Sequence, residues 1–127
     1  SSYLALILGA TIGSSLRYIF TLFNFSFNGM PISTALVNII GSSLAGFFLY
    51  KFNNTAYIFL YIGLFGSFTT LSSLNIEMFA LIYDKLFFKA FVFFFLNIII
   101  SFLFFYLFHI LSLKIAVKID QSYGRLD

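Results

Sequence analysis

The amino-acid sequence predicts an all-α membrane protein with four transmembrane helices in a single domain over residues 1–127. Three observations predict this. Only 9% of the residues are charged, while 61% are apolar and 21 are Phe; soluble domains carry about 25% charge. The formal charges leave long gaps from Arg17 to Lys51, from Lys51 to Glu77 and from Lys89 to Lys114. Each gap holds an apolar run near the ~20 residues that cross a bilayer as a helix. Turn-forming residues fall between these runs: Asn24 to Pro31, Asn53-Asn54 and Asp84-Lys85.

The first helix is read as Tyr3 to Phe23. It resembles a secretory signal only superficially, because no basic residue precedes it, the apolar stretch is too long and no convincing cleavage site follows. The second run is Ile32 to Phe52, the third Ala56 to Tyr83 and the fourth Phe88 to Leu113, followed by a polar tail over 114–127. An even number of spans puts both termini on one side with Lys51, Lys114, Lys118 and Arg125. Lys85 and Lys89, with Arg17 at its helix end, fall on the other side. Such a weak positive-inside bias allows insertion in either orientation.

Small residues recur four apart, at Gly9 with Gly13, Gly41 with Ala45, Ser42 with Gly46 and Gly63 with Ser67. They let helix backbones approach closely in lipid, which speaks for a bundle and not for any one function. No internal repeat is present, so any symmetry has to come from pairing two chains. Cysteine is absent, which excludes disulfides and thiolate metal sites. Scattered charges exclude a nucleic-acid surface. No cluster of His, Cys or acids supplies a nucleophile with its base, so the chain is read as a non-enzyme.

Polar groups inside lipid are costly unless paired, so they mark function. The first helix carries Thr11, Ser14, Ser15 and Arg17; the second carries Ser33, Thr34, Asn38, Ser42 and Ser43; the fourth carries Asn97, Ser101 and His109. The third is richest, with six hydroxyl or amide side chains between Gly66 and Asn75. Gly63 and Gly66 followed by hydroxyls that can bond backbone carbonyls predict a helix broken near its middle. Beyond it Thr70, Ser73 and Glu77 share a face, with Leu71, Leu74 and Met78 on the adjacent one. Donors outnumber buried acids, which suits an anion better than a metal cation. The residues alone leave a polar pathway of unknown substrate.

The stretches Gly9 to Tyr18, Thr34 to Ser42 and Gly63 to Ser72 together resemble the Fluc (CrcB) fluoride channels. That resemblance implies an antiparallel, dual-topology dimer in the inner (plasma) membrane. Two pores at the dimer interface would export fluoride passively and lower its cytoplasmic concentration, with one sodium ion on the dimer axis as structural cofactor and no organic cofactor. Gly66 and Thr69 would offer backbone carbonyls to sodium. Asn38 would donate its amide to fluoride at a pore mouth, and Thr70, Ser73, Glu77 and Ser101 would belong to the polar track. Arg17 would match the family's arginine; its alternative is snorkelling to a headgroup.

One departure stands out. The family has Thr-Thr-Phe-Ser-Thr-Phe after the break, its two rings turning their edges to fluoride, where this chain has Leu71 and Leu74. Leucine has no ring quadrupole. Apolar walls, rings from a related partner subunit, or a shift of anion binding toward Phe68 would each answer this. The readings of function are therefore a homodimeric fluoride channel, a noncatalytic subunit of a heterodimeric one, or a small multidrug-resistance-type proton-coupled exporter. The exporter needs a membrane-buried acid on its first helix, where this chain has Arg17 and no acid.

Overall fold

The computed structural model describes residues 1–124; Arg125 lies outside the described residues. Four helical segments are linked by short connections. Helix α1 spans Ser2–Phe23, opened by Ser1, whose Oγ accepts the Leu4 amide at 3.2 Å, and closed by Asn24 in the left-handed region at φ 49°. Where the sequence reading has only a turn, a hairpin pairs β1 (Ser26–Phe27) with β2 (Met30–Pro31). Asn28 and Gly29 both have positive φ, 51° and 76°. That is the backbone of a two-residue primed turn, for which Asn-Gly is the strongest sequence signal.

Helix α2 spans Ser33–Phe47 and stops five residues before the Phe52 expected. The Leu49 amide bonds the Gly46 carbonyl in a tighter turn, and Tyr50 at φ 65° reverses the chain. At ~1.5 Å per residue, 15 residues cover only about 22 Å, short of a ~30 Å hydrocarbon core. The other three segments, Ser2–Phe23, Asn54–Tyr83 and Phe87–Gly124, are long and apolar enough to span.

The third segment begins as α3, residues 54–68, which widens into π-type turns over Ile58–Phe65 and tightens again over Gly66–Phe68. Gly63 and Gly66 are themselves helical. Thr69 is extended, with ψ 157°, and α4 resumes at Ser72–Tyr83. Helix α5 runs over Phe87–Gly124, 38 residues, with a widened stretch at Leu96–Ile100. The polar tail read as beginning at 114 is thus helix through Gly124. No Gly or Pro interrupts Lys114 to Tyr123, and its Ala, Lys and Gln sustain a helix at low cost.

Helix α1 lies on α3 through glycines. A Cβ at Gly9 would run into the Phe59 carbonyl oxygen, one at Gly13 into that of Leu64, and one at Gly63 would sit 3.0 Å from the Gly9 Cα. Gly46 brings α2 equally close to the Phe105 main chain of α5. Such contact between backbones is what holds helices together when lipid removes the hydrophobic drive between them. A small apolar core of Met30, Leu74, Leu81, Ala90 and Phe93 joins the hairpin to α4 and α5. Large apolar side chains such as Phe88, Phe91 and Phe102 are exposed, as suits a surface bathed in hydrocarbon.

Candidate functional site

The site forms where the chain leaves helical geometry at Thr69. In an unbroken helix each amide bonds the carbonyl four residues earlier, so Thr70 would serve Gly66 and Ser73 would serve Thr69. Instead the Thr70 amide donates to Asn38 Oδ1 at 2.7 Å, and the Ser73 amide donates to Thr70 Oγ1 at 3.2 Å. The carbonyls of Gly66 and Thr69 thereby lose the donors a helix would have given them. Thr69 bonds backward, its amide and hydroxyl both donating to the Phe65 carbonyl at 3.1 and 3.0 Å.

Two side chains from other helices hold this segment, and a third, Asn97, braces one of them. Asn38 of α2 grips Thr70 on both sides, because its Nδ2 also donates to the Thr70 carbonyl at 3.1 Å. The second Nδ2 hydrogen goes to Asn97 Oδ1 of α5 at 2.7 Å, and Asn97 Nδ2 donates to the Phe93 carbonyl at 2.9 Å. Arg17 of α1 donates through Nε to the Ser67 carbonyl at 3.0 Å.

Asn38, Thr70, Leu71 and Leu74 line one cleft of about 190 Å³ together with Ser42, Thr69, Asn97 and Ile98. Gly66 and Thr69 line a second, of about 230 Å³, and Ser101 a third, of about 380 Å³. Ser42 borders all three, so they form one seam along α2. Leu71 is 65% exposed, whereas Leu74 is 2% exposed and belongs to the apolar core.

Phe68 stands apart from these clefts. It is buried, its ring edge-on to Phe20 at 5.7 Å. Ser73 and Glu77 lie beyond the seam on α4. Glu77 Oε1 accepts from Thr34 Oγ1 at 2.9 Å, and its Oε2 is buried without a partner. Ser101 Oγ is likewise buried and unpartnered. The sequence reading named Asn97, Ser42 and Thr34 as polar but did not place them in the site. For Asn97 the signal was present, since it is the one amide in the long uncharged run from Ala90 to Leu113. Among the described residues no group of three or more His, Cys, Asp or Glu could hold a metal, so a cation here would rely on carbonyl oxygens.

Residues 4–108 match the family described as "CrcB-like protein, Camphor Resistance (CrcB)". The chain is 33% identical over 109 residues to "Fluoride-specific ion channel FluC" of Sulfurihydrogenibium sp., covering 80% of this chain and 88% of that protein. It is 39% identical over 85 residues to "Fluoride-specific ion channel FluC 3" of Methanosarcina barkeri, covering 61% and 64%. With "Fluoride-specific ion channel FluC" of Legionella pneumophila (strain Lens) the identity is 39% over 83 residues, covering 59% and 62%. The chain therefore spans less than two thirds of the latter two relatives.

Proposed function

The chain belongs to the CrcB family, and from that membership we propose that it is a fluoride channel, a multi-pass membrane protein that lets the ion leave the cell passively through two pores between paired subunits. The seam carries this reading. It presents hydroxyls and amides along one open face of a single chain, so a second copy laid against it would turn three clefts into an enclosed path. A small, tightly hydrated anion needs such donors in succession to replace its water. Near balance of lysines, Lys51, Lys114 and Lys118 against Lys85 and Lys89, favours an antiparallel pair of dual topology. The inner (plasma) membrane is the compartment this export implies.

Asn38 and Thr70 stand at the pore wall with Leu71 and Leu74, whose apolar side chains take the place of ring edges. Ser101 continues the track, while Ser73, Glu77 and Phe68 flank it. The interval at Thr69 acts as the helix break. Gly66 and Thr69, whose carbonyls have lost their helical donors, would hold a sodium ion on the dimer axis. Bound there it supplies fixed positive charge between the two subunits. Arg17 holds the same segment from the other side through Ser67.

The exposed Leu71 also motivates a second reading, in which a related chain supplies the rings. Reconstitution of the purified chain alone into liposomes loaded with potassium fluoride separates the two. After addition of valinomycin a fluoride electrode is expected to record fast efflux, with chloride-loaded vesicles silent. A folded dimer that releases no fluoride would overturn the homodimeric channel and make this chain a partner subunit.

A further inference from the structure

The hydrogen bonds around Asn38 contain a competition. Asn38 has two amide hydrogens and both are committed, one to the Thr70 carbonyl and one to Asn97 Oδ1. Neither amide can be turned over to relieve this. Asn38 Oδ1 must face the Thr70 amide, and Asn97 Nδ2 must face the Phe93 carbonyl, so main-chain groups set both orientations. Asn38 is 8% exposed and Asn97 3%, yet both border the cleft with Thr70. An anion entering it meets no spare Asn38 hydrogen.

We propose that Asn97 is a selectivity-determining residue, its carbonyl oxygen acting as a built-in rival that an anion must displace from Asn38. The inference rests on the channel reading above. Hydrogen bonds to an ionised acceptor are roughly twice as strong as those to a neutral one. Fluoride, with its charge concentrated on a small ion, outcompetes an amide oxygen for the proton; chloride spreads the same charge over a larger radius and does not. The displaced oxygen has somewhere to go. Ser101 lies one turn further along α5, on the same face, and its Oγ is the buried hydroxyl that lacks a partner. Side chains on a helix lean toward its N-terminus, which inclines that hydroxyl toward Asn97. Asn97 therefore has two positions, on Asn38 without anion and on Ser101 with it.

The test follows the Asn38 side-chain amide by NMR in isotope-labelled protein in lipid nanodiscs, titrated with potassium fluoride or potassium chloride. In the parent chain fluoride is expected to shift the resonance and chloride to leave it still. Asn97→Leu removes the rival acceptor at similar volume, so chloride should now shift it too. Asn97→Gln keeps a neutral amide, with both its acceptor oxygen and its donor nitrogen, and chloride should again be silent. A merely structural role for Asn97 would move both variants alike. In liposomes Asn97→Leu should lower the fluoride-over-chloride efflux ratio by about tenfold, the effect of one net hydrogen bond. A chloride-silent Asn97→Leu, or a parent resonance indifferent to fluoride, overturns the inference even if the parent conducts. Absence of parent efflux overturns the channel reading, and the resonance shifts still decide the role of Asn97.

Discussion

Replacing Asn38 by Leu is expected to slow fluoride efflux by about a hundredfold or more, a barrier increase of ~3 kcal/mol. The residue makes four demands that leucine cannot meet. Its Oδ1 takes the Thr70 amide, and its Nδ2 serves the Thr70 carbonyl, the Asn97 oxygen and, in the proposed pore, the ion. Leucine leaves three polar groups without partners in a buried place, at about 1–3 kcal/mol each. Thr70 would then be free to return its amide to the Gly66 carbonyl, closing the interval into ordinary helix and removing the released carbonyls. Efflux from liposomes and thermal unfolding in detergent measure the two effects separately. Parent-like efflux from Asn38→Leu would rule out a pore wall at this residue.

Gly13→Val should prevent α1 from docking on α3, costing at least about 3 kcal/mol, the upper range for overpacking where only backbone can yield. The new Cβ would collide with the Leu64 carbonyl oxygen and lie 3.1 Å from both the Leu64 carbonyl carbon and the Phe68 amide nitrogen. None of these atoms can swing aside as a side chain would. Phe68 also leads into Thr69, so the displacement reaches the site. The expected readout is loss of the folded species on size-exclusion chromatography, with efflux lost alongside it. Gly124→Val is the control: nothing lies within 4 Å of a Cβ there, and both readouts should stay at parent values.

Apolar length and charge spacing made the four helical segments legible, because these two properties largely decide which stretches can leave water for hydrocarbon. The glycines at 9, 13 and 63 were legible as contact points, though not which helix each would meet. The end of α2 was not legible. Phe48 and Leu49 are as apolar as what precedes them, and the helix ends where Gly46 packs on Phe105 and Tyr50 takes a positive φ. The hairpin was passed over although Asn28-Gly29 announced it, since a two-residue strand leaves no periodic pattern. Thr70, Asn97 and Asn38 were each visible as polar residues, but their mutual bonds join positions up to 59 residues apart, a relation that no local pattern carries.

Helix α5 is longer than a bilayer is thick. Its 38 residues reach about 57 Å at ~1.5 Å each, against a hydrocarbon core of ~30 Å. The final turns, Ile115 to Tyr123, are exposed in the single chain, and with the rest of α5 filling the core they would stand in water or among headgroups. In an antiparallel pair two such rods emerge in opposite directions, giving the assembly a handle on each side of the bilayer. A protease confined to the outside of a sealed vesicle would trim one handle and spare the other, leaving full-length and shortened chains in equal amounts. The molecule would thus carry a record of its own orientation, readable from a pair of bands on a gel.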